Sequence, residues 1–227
     1  MAQPLVVAID GPAGSGKSTL ARRLAERLGW AYLDSGAMYR AVTVRALERK
    51  MDLADGTALA EIARKGDVRL APKGGRIWIE GREVTEQIRT PAVNAGVSAV
   101  AAVKAVRDVM VAHQRRFASQ NGKIVAEGRD MATVVFPDAF LKIYLDASEE
   151  ERARRRTEEM RAKDAGHPTE AVRASIARRD RMDRERDVAP LRAAEGALIL
   201  DSTGLTPDEV LDRVLSEVKS RVPASAE

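Results

Sequence analysis

Short apolar runs alternate with stretches of helical periodicity along this chain. Continuous apolar runs are typical of parallel strands buried on both faces of a sheet. They cover residues 5–9, 31–33, 124–126, 141–145 and 197–200. Helical patterns separate or follow them: a first helix with Leu20, Leu24, Ala25 and Leu28 on its apolar side, then helices at about 37–49, 91–120, 148–162, 169–186 and 206–221. The pattern predicts an α/β fold, a doubly wound parallel sheet with helices on both faces.

Residues 66–90 depart from this alternation. Their apolar positions nearly alternate around a glycine-containing turn at 72–75, and a second turn follows at 80–82. This pattern predicts a small antiparallel hairpin inserted into the strand–helix series. We therefore predict a single domain over residues 1–227 that contains an inserted subdomain at about 66–120.

Residues 11–18, Gly-Pro-Ala-Gly-Ser-Gly-Lys-Ser, match the phosphate-loop motif G-x-x-x-x-G-K-[ST]. They lie between a predicted buried strand and a predicted helix, as the motif requires. Glycines let the backbone curl around phosphate oxygens, and the N-terminus of the helix directs free N–H groups at them. Lys17 can reach the outer phosphates of a nucleoside triphosphate, and the Ser18 hydroxyl can bind its Mg²⁺. The alternative is a glycine-rich turn that matches by chance.

Composition limits the remaining chemistry. The chain contains no cysteine, which excludes disulfides and thiolate metal sites, and its two histidines are too few for a histidine-based metal cluster. Apolar residues make up 44% of its 227 residues, enough for a sizeable core. No apolar run approaches the length of a membrane span, and the N-terminus leads directly into a strand. We expect a cytoplasmic protein with no membrane partner.

The chain is slightly basic, with 38 Lys and Arg against 34 Asp and Glu. A pI near 9.5 is compatible with nucleic-acid binding. However, the basic residues are interleaved with acidic ones, and aromatic stacking partners make up only 4% of the chain. Because arginine binds phosphates bidentately, small anionic substrates fit this composition better, and we expect no nucleic-acid partner.

Two polar segments follow predicted strands, where a parallel sheet binds its ligands. After 31–33, Tyr39 and Arg40 fall in the first turns of a helix, and Arg40 can hold an acceptor phosphate. The alternative is that Asp34 only caps this helix and Arg40 is solvated. After 124–126 comes Glu127-Gly128-Arg129-Asp130, in which a carboxylate can hold Mg²⁺ through water or orient a nucleophile. Here the alternative is a simple ion pair.

Two charged helical segments are further candidates. The arginines at 152 and 154–156 lie near the start of a helix, where the helix dipole disfavours cations, and a break follows at 165–168. We interpret about 152–172 as a lid that closes over phosphates, or alternatively as a solvated face paired with Glu149–Glu151. Arg179, Asp183 and Arg186 share one helix face, which suits a sugar flanked by phosphates or a surface salt-bridge ladder.

Together with the phosphate loop, these segments resemble the bacterial cytidylate kinases of the nucleoside monophosphate kinase group. The resemblance runs from about Val6 to Val218. Its motifs are GPAGSGKST, LDSGAMYRA, EGRDMATVVFPDA, LDASEEERARRR and RRDRMDRERDVAPL. It implies a monomeric P-loop kinase that uses MgATP to convert CMP and dCMP to CDP and dCDP by direct in-line transfer.

The resemblance also implies roles for individual residues. Arg40, Arg129 and Arg186 would hold the acceptor phosphate, with Ser35 and Tyr39 beside it. Ser98, Arg107 and Asp130 would contact the cytosine, and Arg179 with Asp183 would hold the ribose. Arg152, Arg155 and Arg156 would belong to a lid over ATP. Lys17, Arg129, Arg155 and Arg186 would be catalytic, and Ser18 would bind the metal. ATP would be bound by Gly11, Pro12, Ala13, Gly14, Ser15, Gly16, Lys17, Ser18 and Thr19.

One position departs from the family pattern. Ser98 and Arg107 are nine residues apart, which places them on opposite faces of a straight helix at about 100° per residue. They can converge on one base only if the helix breaks between them. The family usually has proline at the position that is Lys104 here. Either tertiary packing preserves the break, or the base-binding site is altered.

Two alternative functions remain open from the sequence. One is a related kinase for a different acceptor, such as UMP or a small metabolite. The other is a P-loop switch or nucleic-acid-binding NTPase, which the basic pI allows but which no guanine-binding Asn-Lys-x-Asp segment supports.

Overall fold

A computed structural model describes residues 3–161 and 169–221 of the protein. Its strands are β1 (Leu5–Asp10), β2 (Ala31–Asp34), β3 (Arg69–Leu70), β4 (Ile77–Ile79), β5 (Arg82–Glu83), β6 (Lys123–Gly128), β7 (Leu141–Asp146) and β8 (Leu198–Asp201). Its helices are α1 (Lys17–Leu28), α2 (Ser35–Glu48), α3 (Gly56–Lys65), α4 (Pro91–Ala102), α5 (Lys104–Asn121), α6 (Glu149–Arg161), α7 (Thr169–Glu185) and α8 (Pro207–Arg221).

Five strands form a parallel sheet in the order β2-β6-β1-β7-β8. Successive residues of β1 enter different cores: Val7 and Ile9 pack with α1 and α8, whereas Val6 and Ala8 pack on the other face. Helices therefore cover both faces, and the predicted doubly wound α/β fold is confirmed. Because the strands are parallel, their carboxyl ends meet at one edge, with β1 and its phosphate loop in the middle.

A small antiparallel sheet of β3, β4 and β5 occupies the predicted hairpin region. Its residues Ile77 and Ile79 share one core with α2, α4 and α5. Helix α3, which the sequence reasoning missed, adds Leu59 and Ile62 to that core. The segment is therefore packed against α2 of the main domain, and its boundaries at about 66–120 stay a prediction.

Two helices, α4 and α5, occupy the region of the predicted helices at about 91–120, with a break at Val103 (φ −71°, ψ 113°). Tertiary packing accounts for the break without proline. The Val103 side chain packs against the core, and a Cβ on Gly56 would lie 3.1 Å from its Cγ1. The structure therefore preserves the helix break even though Lys104 stands at the position where the family usually has proline.

The two predicted helices around the lid are present as α6 and α7. The predicted break at 165–168, and residues 162–168 of the predicted lid, lie outside the described residues. Within the ranges that the structure describes, none of the helices is long and apolar enough to cross a membrane.

Replacing Lys104 by proline is expected to preserve the fold and to raise the free energy of unfolding by about 0.5 kcal/mol. Lys104 is the first residue of α5, where proline fits, and Val103 already has the extended backbone that favours a following proline. Its exposed ion pair with Asp108 adds little. Urea unfolding measures the change. Ala112→Pro, inside α5, is the control and should cost about 3 kcal/mol; a comparable loss for Lys104→Pro would contradict this account.

Candidate active site

The phosphate loop connects β1 to α1 and depends on its glycines. Gly11, Gly14 and Gly16 have φ of +152°, +78° and +93°, and a Cβ on Gly11 would lie 2.0 Å from the Leu145 carbonyl oxygen. Lys17 is buried, and its Nζ donates to the Pro12 carbonyl oxygen at 2.6 Å. Burial and the nearby Arg129 charge lower the Lys17 pKa. The loop thus holds a desolvated cation in a backbone cradle suited to phosphate.

A carboxylate from the neighbouring strand contacts this loop. Glu127, near the end of β6, accepts a hydrogen bond from Ser18 Oγ at its Oε2 (2.8 Å), and its Oε1 accepts one from the Tyr32 hydroxyl. Burial and the Asp34 charge raise the Glu127 pKa, whereas Lys17 opposes this shift. Ser35 donates to the Glu127 backbone carbonyl oxygen at 2.7 Å, so the candidate acceptor residue Ser35 supports the end of β6.

Helix α2 places Arg40 at the same edge. Asp34 caps this helix by accepting from the Ala37 N–H at 2.9 Å, which confirms the capping role considered from the sequence. Arg40 Nη1 donates to the Ile88 carbonyl oxygen at 2.9 Å and to Asn94 Oδ1 at 2.6 Å. The solvated alternative for Arg40 is therefore wrong, because the side chain is held between α2 and the segment around α4.

Three further arginines converge here from β6 and the end of α7. Arg129 Nε donates to Asp183 Oδ2 at 2.8 Å, and Arg186 Nε donates to the Ala189 carbonyl oxygen at 2.6 Å. Two buried nitrogens, Arg179 Nε and Arg186 Nη2, have no hydrogen-bond partner within residues 3–161 and 169–221. The site therefore contains hydrogen-bond donors without partners, although Arg186 Nη2 lies 3.9 Å from Asp130 Oδ1.

The pKa shifts of these arginines reveal mutual repulsion. Burial and the charges of Arg156 and Arg129 together lower the pKa of Arg40 to about 10, although the Asp34 charge opposes this shift. Burial, Arg129 and Arg40 lower the pKa of Arg179 to about 9. Like charges in a buried site are stabilised by an anion. The arrangement thus suits a ligand with phosphate groups, which also accept the unused donors.

The candidate base-binding residues are partly assembled. Arg107 and Asp130 form a buried ion pair, and Arg107 Nη1 also donates to the Ala101 carbonyl oxygen at 3.1 Å. The Arg107 guanidinium lies 5.5 Å from the centroid of the Tyr39 ring. Ser98 is half-buried on α4. The structure brings Tyr39, Arg107 and Asp130 together, with Ser98 on the preceding helix.

The predicted lid arginines have three different surroundings. Arg152 is buried and donates to the Ala13 carbonyl oxygen at 3.0 Å and to Asp180, whose other oxygen accepts from the Ala13 N–H at 3.0 Å. Arg155 donates to the carbonyl oxygens of Ser15 (3.3 Å) and Ser202 (2.7 Å). Arg152 and Asp180 thus bind the backbone carbonyl oxygen and the backbone N–H of Ala13 in the phosphate loop.

Arg156 differs from these two, because its side chain is 37% exposed and pairs with Glu159 on the same helix. Glu151 pairs with Arg155 and with the exposed Arg154. The alternative interpretation, in which these arginines pair with acidic residues of their own helix, is therefore correct for Arg154 and in part for Arg155. A role for Arg152, Arg155 and Arg156 in binding donor phosphates stays a prediction.

Sequence reasoning missed several residues that shape the site. Asp10 is buried at the end of β1 and accepts from the N–H groups of Met131 and Ala132, each at 2.8 Å, which fixes the segment after Arg129 and Asp130. Asp180 accepts a hydrogen bond from the Ala13 N–H, and Asn94 Oδ1 accepts one from Arg40. Asp10 gave a sequence signal as a charged residue that ends an apolar strand, and Asp180 lies within the motif RRDRMDRERDVAPL.

A parallel sheet with a phosphate loop at its central strand, faced by buried arginines, defines a P-loop phosphotransferase. The family profile described as "Cytidylate kinase" matches residues 7–220. The chain belongs to the cytidylate kinase family, which confirms the resemblance found in its motifs.

Individual relatives agree with this assignment. The chain is 47% identical over 219 residues to a cytidylate kinase of Rhodococcus opacus (strain B4), covering 96% of each chain. It is 45% identical over 213 residues to a cytidylate kinase of Caldanaerobacter subterraneus subsp. tengcongensis, covering 94% of each. A solved structure described as an uncharacterized protein from Eubacterium ventriosum has a TM-score of 0.55 at 11% identity, covering 96% of this chain and 99% of that one, a similarity of fold alone.

Arg152→Ala is expected to lower the free energy of unfolding by about 3–5 kcal/mol, because it leaves Asp180 buried without its cation. Arg154→Ala is the matched control on the same helix: its side chain is exposed, and its loss should change stability little. Urea unfolding of both variants provides the comparison. Equal stability of the two variants would show that the buried pair does not stabilise the loop.

Proposed function

We propose that the protein transfers the γ-phosphoryl group of ATP to the phosphate of CMP or dCMP and releases ADP with CDP or dCDP. The observation that carries this proposal is the group of half-buried arginines, Arg40, Arg179 and Arg186, of which the last two have buried nitrogens without hydrogen-bond partners among the described residues. These groups lie at the sheet edge rather than in an exposed basic stripe. Their burial favours a small phosphorylated acceptor over nucleic acid.

The mechanism requires positioning and charge neutralisation, because the acceptor phosphate is already a nucleophile. One of its oxygens bonds to the γ-phosphorus as the bond to the oxygen bridging the β- and γ-phosphates breaks. Arg40, Arg129 and Arg186 hold the acceptor phosphate. Lys17 and the loop N–H groups neutralise charge on the donor side, and Arg155 supports the loop from α6.

The residues beside the loop fit Mg²⁺. The Ser18 hydroxyl oxygen lies 2.8 Å from the carboxylate oxygen Oε2 of Glu127. Mg²⁺ prefers oxygen ligands of these kinds. Within the described residues, no cluster of three or more His, Cys, Asp and Glu side chains forms a separate metal site. A pair of protein oxygens is what Mg²⁺ needs when phosphates complete its shell. Bound there, Mg²⁺ would neutralise charge on the β- and γ-phosphates.

Selection of cytosine follows from the pairing of Arg107 and Asp130. Cytosine presents an amino group that donates and ring positions that accept, so it matches a carboxylate beside a guanidinium. Uracil would place a carbonyl oxygen against Asp130. We propose that Arg179 and Asp183 bind the ribose, the role that the resemblance implies for them. We also propose that the enzyme acts as a cytoplasmic monomer, as the resemblance to the cytidylate kinases implies.

A coupled ADP-release assay with MgATP and a panel of CMP, dCMP, UMP, AMP and GMP tests the proposal. We expect kcat/KM for CMP and dCMP to exceed the values for the other three acceptors by at least about 100-fold, because two base contacts are lost or reversed. Lys17→Ala supplies the background rate. A preference for UMP, or ADP release that needs no acceptor, would contradict the proposal.

Arg40→Ala is expected to raise KM for CMP about tenfold or more and to leave KM for ATP nearly unchanged, because it removes a charged hydrogen-bond donor from the acceptor side alone. Arg49→Ala, which breaks an exposed pair with Glu80 after the same helix, is the control. Steady-state kinetics with each substrate varied in turn separates the effects. Equal increases in both KM values would remove Arg40 from the acceptor site.

A further inference from the structure

Tyr32 lies where the main sheet meets the small antiparallel sheet. It is 7% exposed in β2, and its N–H donates to the Pro72 carbonyl oxygen at 2.8 Å. Its ring packs on Gly74, where an added Cβ would lie 2.5 Å from Tyr32 Cδ1. Gly74 also has φ +73°, so glycine is needed there both for its backbone and for the ring. The turn at 72–75 thus fixes the position of the Tyr32 ring.

The Tyr32 hydroxyl points away from this turn, to the carboxylate beside the phosphate loop. It donates to Glu127 Oε1, while Glu127 Oε2 accepts from Ser18 Oγ at 2.8 Å. Each oxygen of a buried carboxylate is therefore held by a different hydroxyl. A glutamate side chain has several rotatable bonds, and without the Tyr32 hydroxyl one oxygen would lose its donor and the carboxylate its fixed orientation.

We propose that Tyr32 is a positioning residue for the metal side of the ATP site. Its hydroxyl fixes Glu127 so that Oε2 stays directed at Ser18, and the turn at 72–75 keeps the ring in place. The inference rests on the proposed function in one respect, that Ser18 and Glu127 face the Mg²⁺ of ATP. Hydrogen-bond partners of metal-facing groups commonly control metal affinity in this way.

Tyr32→Phe removes only the hydroxyl and tests the proposal by calorimetry. We expect the Kd for ATP in the presence of Mg²⁺ to rise about tenfold, while the Kd for ATP with excess EDTA and the Kd for CMP stay at their wild-type values. The Mg²⁺ concentration for half-maximal activity should rise by a similar factor. Tyr144→Phe on β7 is the matched control, since this half-buried tyrosine lies outside the Glu127 contacts.

Two further variants separate positioning from general stability. In a Glu127→Ala background, Tyr32→Phe should have no additional effect on Mg²⁺-dependent ATP binding, because the group that it orients is gone. Gly74→Ala keeps the hydroxyl but displaces the ring, and it should produce the same selective loss with Mg²⁺ as Tyr32→Phe. Thermal unfolding of each variant verifies that it is folded at the temperature of the titration.

Wild-type affinity of Tyr32→Phe for ATP with Mg²⁺ would overturn the proposal. An equal loss of affinity with Mg²⁺ and with EDTA would also overturn it, because that result indicates a structural role only. These titrations need no acceptor. Failure of the CMP assay would therefore count against the proposed function, whereas a normal Tyr32→Phe titration would count against this inference alone.

Discussion

Buried positive charge at one edge of the parallel sheet is the constraint on which the rest of the structure depends. Burial lowers the pKa values of Arg40 and Arg179, and the arginines around them lower these values further. The fold opposes this repulsion with main-chain carbonyls and with carboxylates such as Asp183, which partners Arg129. Hydrogen-bond donors without partners remain among the described residues, and phosphate oxygens would satisfy them.

The carboxylates of the site also hold the backbone of the substrate-facing loops. Asp180 balances Arg152 and holds the N–H of Ala13, while Asp10 holds the two N–H groups that follow Asp130. A buried carboxylate is costly unless it is paired or hydrogen-bonded, and each of these satisfies that condition by fixing a loop. The same carboxylates therefore contribute negative charge to the site and fix the backbone of its loops.

The features predictable from sequence were those set by local pattern. The sheet strands and the phosphate loop follow from apolar runs and glycine spacing, and Asp34 acts as the expected cap. The sequence left open whether the helix breaks before Arg107, because the break at Val103 is accompanied by packing near Gly56, far away in sequence. Tyr32 looked like an ordinary strand residue, since its partner Glu127 is 95 positions away. Long-range partners of this kind leave no local signal.

The end of β6 connects the two proposed substrate sites. Glu127 contacts Ser18 on the proposed ATP side, whereas Arg129, two residues later, pairs with Asp183 on the proposed acceptor side. Two residues of extended chain span about 7 Å, so the two sites are held within a short distance by covalent geometry alone. In-line transfer requires the donor and acceptor phosphates to be adjacent. With the sites as proposed, the end of β6 would impose that proximity, which gives a reason for the fold to gather charged side chains there despite their repulsion.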